Sequence, residues 1–201
     1  MENNQKVFVL LNGKAPQKLP DLSSYALICT TDGGYNKLLE FSVMPDLVVG
    51  DFDSSKNHKA NEVIHTPDQE YTDFEKLLQL LYERGNTNLD VFGASGDEQD
   101  HFLGNLHVAV VWKDKLDITF FDDHGTYFLA TQQTTLKNVF NKTISLLPLP
   151  LVTGIFTRGL LYPLNNEFLE FGKRVGTRNK AIADTVEITY KKGNLVIFVN
   201  N

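Results

Sequence analysis

The chain has 201 residues, with 19 Lys and Arg against 25 Asp and Glu, so its formal charge is −6. With 42% hydrophobic and 22% charged residues it has the composition of a folded protein rather than a disordered one. The acidic balance argues against a nucleic-acid partner, and no apolar run reaches the ~18 residues that a membrane helix needs. The polar N-terminus does not resemble a signal peptide, so we expect a cytoplasmic protein with no membrane partner. Cys29 is the only cysteine, which excludes an intramolecular disulfide.

The first two thirds of the sequence alternate short apolar runs with helical patterns, which predicts an α/β fold with a mostly parallel sheet. We expect strands over residues 7–11, 25–30, 62–65, 89–92 and 116–121. We expect helices over residues 35–41, 72–84 and 99–112. In the second helix the apolar residues recur at i, i+3, i+4 and i+7, and Gly85 follows as the residue that ends it.

The pattern changes near residue 125, beyond which we find strand-like stretches and no helix. We expect strands over residues 127–131, 143–147, 185–190 and 195–199, the last two joined as a hairpin across residues 191–194. The shift predicts two domains, residues 1–124 and residues 125–201, the second a smaller all-β domain. Because so short a domain has a marginal core of its own, we expect a partner chain to complete it.

Acidic residues follow one of the expected strands and a further short apolar run. Asp32 stands in TTDGG, where Gly33 and Gly34 would let the backbone approach a ligand closely. In PDLVVGDFDS an apolar run leads to Asp51 and Asp53, whose i, i+2 spacing places both carboxylates on one side of an extended strand end. Ligands of open α/β sheets bind at such strand ends, and converging carboxylates favour Mg²⁺. The alternative interpretation is an Asp-rich turn.

A second acidic segment, DQEYTDFEK, opens the strongest helix. Thr72 and Glu75 form a capping box, so Asp73 lies in the first turn, with Lys76 one turn later. This acid and base would point together, a geometry that suits a metal ion beside a phosphate oxygen. The alternative is a solvated ion pair on an ordinary helix.

The third segment is GASGDEQDHFLGN, a strand end and glycine turn that lead into a helix. Asp100 and His101 open the helix, and Asn105 lies one turn beyond His101 on the same side. Asp100 and His101 are candidates for a general base or a substrate clamp. The alternative for His101 is a structural hydrogen bond. No GxxxxGK[ST] loop is present, so any phosphates are not held as a P-loop holds them.

Together these motifs resemble those of the thiamine pyrophosphokinase family. The resemblance includes three further stretches: SLLPL at residues 145–149, GLLYPL at residues 159–164, and GTRNK at residues 176–180. It implies transfer of a diphosphoryl group from ATP to the hydroxyl of thiamine, which gives thiamine diphosphate and AMP. It also implies an α/β domain followed by a β-sandwich, and a homodimer whose sites lie between one subunit's α/β domain and the other's sandwich.

The resemblance also assigns roles to residues of this chain. Asp32, Asp51, Asp53 and Asp73 match the family's Mg²⁺-binding acids. Gln69 and Lys76 match its phosphate-side polar residues, and Asp100 a substrate-site acid that orients or deprotonates the hydroxyl. His101 and Asn105 belong to the same ligand-binding motif. Asn179 matches an Asn beside thiamine.

The chain departs from the family pattern at several positions. The motif Gly-Gly-Arg-x-Asp-His has Asp97 for its second Gly and Glu98 for its Arg, which reverses a charge where phosphate would bind. Arg178 replaces a Ser and could restore a cation, and Leu161 replaces a frequent Lys. Two alternatives therefore stay open: a pyrophosphokinase for another hydroxymethyl heterocycle, and a non-catalytic regulatory protein that binds Mg²⁺ and a nucleotide.

Overall fold

The computed structural model describes residues 5–52 and 59–201. The chain divides into two compact units, Met1–Asp123 and His124–Asn201. This division falls one residue from the boundary expected at residue 124, where the strand-and-helix alternation stops. None of the described helices is both long and apolar enough to span a membrane.

Among the described residues, the first unit has six strands and three helices. The strands are β1 (Val7–Leu10), β2 (Leu27–Thr31), β3 (Leu47–Gly50), β4 (Glu62–His65), β5 (Asn88–Phe92) and β6 (Asp117–Asp122). The helices are α1 (Asp32–Glu40), α2 (Asp73–Glu83) and α3 (Gln99–Trp112), with a short 3₁₀ helix at Leu22–Ser24. The strands pair in parallel in the order β4-β3-β2-β1-β5-β6.

The sheet of the first unit is buried at its centre. Every residue of β1 and β3 is buried, as expected for a parallel sheet that is covered on both faces. On one face Phe8, Leu10, Leu38 and Phe92 form a core cluster, in which the rings of Phe8 and Phe92 stack 4.9 Å apart.

Helix α2 has the boundaries that its capping residues predict. The Thr72 hydroxyl accepts a hydrogen bond from the Glu75 amide at 3.2 Å, which satisfies one free N–H of the first turn. At the other end Gly85 has φ 79°, and the amides of Gly85 and Asn86 donate to carbonyls of the last turn. The buried face consists of Phe74, Leu77, Leu78 and Leu81.

Helix α1 begins at Asp32, three residues before the expected start, so the glycine pair lies inside the helix. A Cβ atom on Gly34 would lie 2.5 Å from the Leu10 carbonyl oxygen, and one on Gly33 would lie 2.8 Å from the Asn12 side chain. The two glycines therefore let the helix start directly against the end of β1. The expectation that they also let a ligand approach closely stays a prediction, and Gly33 does line the cleft described below.

A buried carboxylate in β5 is fully paired. Asp90 is 3% exposed, and the Lys6 ammonium donates to its two oxygens at 2.8 and 2.9 Å. The Tyr25 hydroxyl donates to Oδ2 at 2.8 Å. Burial, and next the hydrogen bond to Asp90, raise the pKa of the Tyr25 phenol above its ordinary value. We refer to Lys6, Tyr25 and Asp90 as the paired carboxylate group.

The second unit is made of antiparallel strands. They are β7 (Gly125–Leu129), β8 (Gln133–Lys137), β9 (Thr143–Arg158), β10 (Asn165–Glu170), β11 (Gly176–Lys180), β12 (Thr185–Thr189) and β13 (Lys192–Asn200). The strand order is β7-β13-β9-β12-β8, and β10 and β11 also pair with β9. Buried side chains of these strands form one core cluster, whose fully buried members include Ile144, Leu146, Val152, Ile155, Leu169, Ile188 and Ile197.

Strand β9 is much longer than the expected stretch 143–147. It continues through Pro148 and Pro150, which cannot donate to a sheet and therefore favour a strand end in a sequence-based reading. The pairing of β13 shifts register between Gly193 and Leu195, opposite this proline segment, so the ladder resumes at Val152. Two steps along β13, from Gly193 to Leu195, correspond to four steps along β9, from Val152 to Pro148, so extra residues in β9 itself accommodate the proline segment.

The hairpin expected across residues 191–194 is wrong. Strand β12 runs antiparallel to β9 at residues 156–158, and β13 runs antiparallel to β9 at residues 143–153. Because both strands run in the same direction, the chain does not reverse between them. Gly193, which prompted the prediction, lies beside β9, where a Cβ atom would meet the Val152 Cα atom at 2.9 Å.

Candidate active site

A cleft of about 400 Å³ lies at the carboxyl ends of the parallel strands of the first unit. Its walls come from the segments that follow β1, β2 and β5 and from the first turns of α2 and α3. The lining residues are 11–13, 31–33, 72–74 and 93–95, with Asp97, Glu98, Asp100, His101, Gly104 and Asn105. This is the edge at which open α/β sheets bind their ligands.

Three of the predicted acids converge at this edge. Asp32 and Asp73 occupy the first turns of α1 and α2, and Asp51 directly follows β3. One carboxylate oxygen from each residue lies within 4.8 Å of the other two. The fourth predicted acid, Asp53, lies outside the described residues.

The electrostatics of these three acids suit a divalent cation. Burial, and then the negative charge of Asp32, raise the pKa of Asp73 above its ordinary value, while Lys76 opposes the shift. Asp51 adds a further upward contribution. The carboxylates thus repel one another, and hard oxygen donors in this number are what Mg²⁺ takes from protein while keeping water and phosphate as its other ligands.

Gly50, the last residue of β3, allows the convergence. A Cβ atom at this position would lie 2.7 Å from both Cβ and Cγ of Asp32. The missing side chain therefore leaves the space in which the Asp32 carboxylate lies against the strand end. Both Asp32 and Asp73 lie in the first turn of a helix, where the positive end of the helix dipole attracts a negative group.

Gln69 and Lys76 lie beside the acids and bind protein groups. The Gln69 amide donates to Oδ2 of Asp51 at 3.1 Å. The Lys76 ammonium is 3.3 Å from Oδ1 of Asp73, as expected of an acid and base that point together. It also donates to the carbonyls of Thr66, at 3.0 Å, and Asp68, so it holds the loop before α2 as well.

The predicted residues of α3 line the cleft. Asn105 donates from Nδ2 to the Ala94 carbonyl at 2.9 Å, which ties α3 to the segment after β5. The Asp100 carboxylate accepts a hydrogen bond from the His101 amide at 3.0 Å. Glu98, which replaces the family Arg, places its carboxylate 3.5 Å from Nε2 of His101. Both side chains are exposed toward solvent.

The segment Asn12–Gly13 also lines the cleft, and our reading of the sequence did not single it out. The Gly13 amide donates to the Gly93 carbonyl at 2.7 Å, and the Lys37 ammonium donates to the carbonyls of both Asn12 and Gly13, the latter at 2.6 Å. The signal was available, because LNG follows β1 just as TTDGG follows β2.

Arg178 and Asn179 lie in β11 of the second unit. Asn179 is 8% exposed; its Oδ1 accepts from the amides of Tyr162 and Lys180 at 3.1 and 2.8 Å, and its Nδ2 donates to the Tyr162 carbonyl at 2.7 Å. Arg178 has φ 56°, and its amide donates to the Ser145 hydroxyl at 2.9 Å, while its side chain is exposed. Asn179 thus holds the preceding loop against β11.

Comparison with known proteins agrees with this architecture. Residues 21–120 match a family model described as thiamin pyrophosphokinase, catalytic domain, and residues 132–195 match the vitamin B1 binding domain of the same enzyme. Thiamin pyrophosphokinase 1 of Caenorhabditis elegans is 30% identical over 186 residues, which cover 84% of this chain and 76% of the relative. The chain belongs to the thiamine pyrophosphokinase family. The resemblance drawn from the sequence motifs is therefore confirmed.

Further relatives of this thiamine pyrophosphokinase family member extend over almost its whole length. The thiamine pyrophosphokinase of Bacillus subtilis is 24% identical over 208 residues, covering 96% of this chain and 97% of the relative. A thiamin pyrophosphokinase family protein from Enterococcus faecalis superposes with a TM-score of 0.86 at 21% identity, over 98% of this chain and 99% of that one. The yeast enzyme superposes with a TM-score of 0.84 at 16% identity, over 100% and 87%. The fold of the family is thus present in full.

Proposed function

We propose that this chain transfers the diphosphoryl group of ATP to the hydroxyl of thiamine, producing thiamine diphosphate and AMP. Family membership supports the reaction. The observation that carries the proposal is the convergence of Asp32, Asp51 and Asp73 within 4.8 Å at the strand ends beside a cleft. A set of converging carboxylates costs stability, and a magnesium-dependent enzyme has a use for it.

The three acids would hold Mg²⁺, with Asp53 as a fourth ligand by its position in the motif. The bound metal would neutralise charge on the diphosphoryl group of ATP and so favour the transition state. Gln69 holds one oxygen of Asp51 by a hydrogen bond and so fixes the orientation of the carboxylate. Lys76, held against Asp73, adds positive charge on the phosphate side.

The remaining residues of the cleft would bind and orient the two substrates. In the transfer, the thiamine hydroxyl oxygen attacks the β-phosphorus, the bond from the β-phosphorus to the α,β-bridging oxygen breaks, and AMP leaves. Asp100 lies at the cleft wall, where its carboxylate can accept the hydroxyl proton. Asn105 and His101 would position polar groups of the substrates on the same wall. Alignment of this kind supplies much of the rate enhancement in phosphoryl transfer.

The exchange of the family Arg for Glu98 leaves this wall of the cleft without a phosphate-binding guanidinium. We propose that Arg178, with its exposed side chain, supplies a cation from the second unit. Replacing Arg178 with Ala should then weaken ATP binding. An unchanged affinity, measured by calorimetry in the presence of Mg²⁺, would remove this role.

We also propose that the second unit forms a β-sandwich which binds thiamine near Asn179 and joins two chains as a homodimer. Its β9 and β10 strands expose several large apolar side chains, namely Leu151, Phe156 and Phe168, with Phe171 just beyond. Such a patch is typical of an interaction surface. Phe168→Glu should shift the mass measured by light scattering from dimer to monomer. Phe140→Glu, which changes a still more exposed ring outside these strands, is the matched control.

The reaction is tested by incubating the protein with Mg²⁺, ATP and thiamine and following AMP and thiamine diphosphate by mass spectrometry. Equal amounts of the two products, abolished by Asp51→Asn, support the proposal. Formation of AMP without thiamine diphosphate would point to another hydroxymethyl acceptor. Binding of Mg²⁺ and ATP without any product would point to a regulatory protein that has lost turnover with the exchange at Glu98.

A further inference from the structure

A histidine at the end of β4 contacts the backbone that carries Asp51. The register of the sheet pairs His65 with Gly50, the residue before Asp51, and the Thr66 amide donates to the Gly50 carbonyl at 2.8 Å. The His65 ring then reaches across to the next residue, with Nε2 3.0 Å from the Asp51 carbonyl oxygen. Because a carbonyl only accepts, Nε2 carries the hydrogen and donates it.

The same ring also contacts the residue that follows Asp51. Phe52 has φ 57°, a left-handed conformation that is rare and costly for a bulky side chain. Its ring stacks on His65 with the centroids 5.8 Å apart and the planes at 27°. Such a turn persists only where neighbouring groups hold it. His65 contacts two parts of the turn, the Asp51 carbonyl and the Phe52 ring.

We propose that His65 is a positioning residue, which fixes the turn after β3 and so aims the Asp51 carboxylate at the metal. This inference rests on the proposed magnesium site. Gln69 holds the carboxylate itself through Oδ2, whereas His65 holds the main chain beneath it. With both contacts present, Asp51 is already ordered before the metal binds. Metal binding therefore does not have to offset the entropy cost of ordering Asp51, and the metal affinity is higher.

Two substitutions separate the hydrogen bond from the ring contact. His65→Phe keeps an aromatic ring against Phe52 and removes the donor, whereas His65→Gln keeps an N–H donor of similar reach and removes the ring. His107→Phe is the matched control, because His107 is an exposed histidine of α3 whose side chain makes no hydrogen bond in the described part of the chain. Since His65 is itself exposed, we expect all three variants to fold, which thermal unfolding checks.

The first readout is Mn²⁺ binding to the protein without substrates, measured by electron paramagnetic resonance. We expect His65→Phe to weaken Mn²⁺ binding about tenfold, the lower end of the range for residues that orient metal ligands. His65→Gln should retain most of the affinity, and His107→Phe all of it. The second readout is turnover against Mg²⁺ concentration, where His65→Phe should raise the activation constant by the same factor and leave kcat at saturating Mg²⁺ unchanged.

Wild-type Mn²⁺ affinity in folded His65→Phe would overturn the inference. A failure of the proposed function has a different signature. If the wild-type protein made no thiamine diphosphate but His65→Phe still weakened Mn²⁺ binding, the reaction would be wrong and the role of His65 would stand.

Discussion

Two sets of carboxylates in the first unit are built in opposite ways. In the paired carboxylate group, Asp90 is almost fully buried and accepts hydrogen bonds from Lys6 and Tyr25. At the carboxyl ends of the strands, Asp32, Asp51 and Asp73 lie close together, and burial, together with the charges of the other two acids, raises the pKa of Asp73. The charge of Asp90 is balanced by Lys6, whereas the three converging acids have Lys76 beside Asp73 and still repel one another.

The contrast separates two reasons for keeping an acid in a protein. A buried carboxylate with its partners holds elements together, and loss of one partner leaves an uncompensated charge. Converging acids instead reduce the stability of the empty protein and gain their partner when a cation binds. Substitutions in the two places should therefore have opposite effects on stability and activity.

The strongest test is Asp73→Asn, which removes one acid from the converging set. We expect turnover to fall on the order of 10³-fold, because electrostatic stabilisation of the transferring group is lost. Without metal, the thermal midpoint should stay the same or rise, because repulsion among the acids decreases. A lower midpoint together with normal turnover would place Asp73 among the structural acids.

The reverse test is Lys6→Met, which removes the cation from the paired carboxylate group. We expect the free energy of unfolding to fall by about 3 kcal/mol, because the buried Asp90 carboxylate loses its cation and, among the described side chains, keeps the Tyr25 hydroxyl alone as a partner. Denaturant titration measures the loss, and kcat of the folded fraction should stay unchanged. Lys18→Met, at an exposed lysine of the same unit, should leave stability within about 0.5 kcal/mol of wild type.

Gly50→Ala tests the comparison without removing a charge. The added methyl would occupy the space 2.7 Å from Cβ and Cγ of Asp32 and push that carboxylate away from its neighbours. We expect Mn²⁺ affinity to fall about tenfold, the range found when the support of a metal ligand is disturbed. Unchanged affinity would show that Asp32 is not part of the metal site.

The smallest effect is expected at Gly104, inside α3 on the wall of the cleft. A Cβ atom there would meet no protein atom within 4 Å, so the glycine is not required by packing. Gly104→Ala should stabilise the helix by about 0.5–1 kcal/mol, the usual cost of a helical glycine. If substrate occupies the open space, the same substitution should raise KM for ATP or thiamine. Steady-state kinetics would then show weaker substrate binding in the more stable variant.

Much of the first unit follows from local signals in the sequence. The capping box at Thr72 and the glycine at position 85 define α2, and apolar runs define the strands that lead to Asp32 and Asp51. Because parallel strands end at one edge, acids that are distant in sequence were expected to converge. Asn12 was missed because the segment LNG contains no acid, although its glycine follows β1 as the glycine pair of TTDGG follows β2.

The second unit was harder to predict because its order depends on long-range pairing. Strands β8, β10 and β11 are short and mostly exposed, so their apolar pattern is weak. Pro148 and Pro150 hid the length of β9, and Gly193 suggested a reversal that does not occur. Asn179 holds the loop at Tyr162 by hydrogen bonds, and no pattern in the sequence around Asn179 predicts this contact.

The length of β9 has a consequence for how the chain is made. This strand of 16 residues pairs with β10, β11, β12 and β13, all of which follow it in the sequence. While a ribosome is still adding residues 192–200, β9 has no β13 to cover it, and an uncovered apolar strand can pair with another nascent chain. Translation slowed before residue 192 should therefore increase aggregation of this protein.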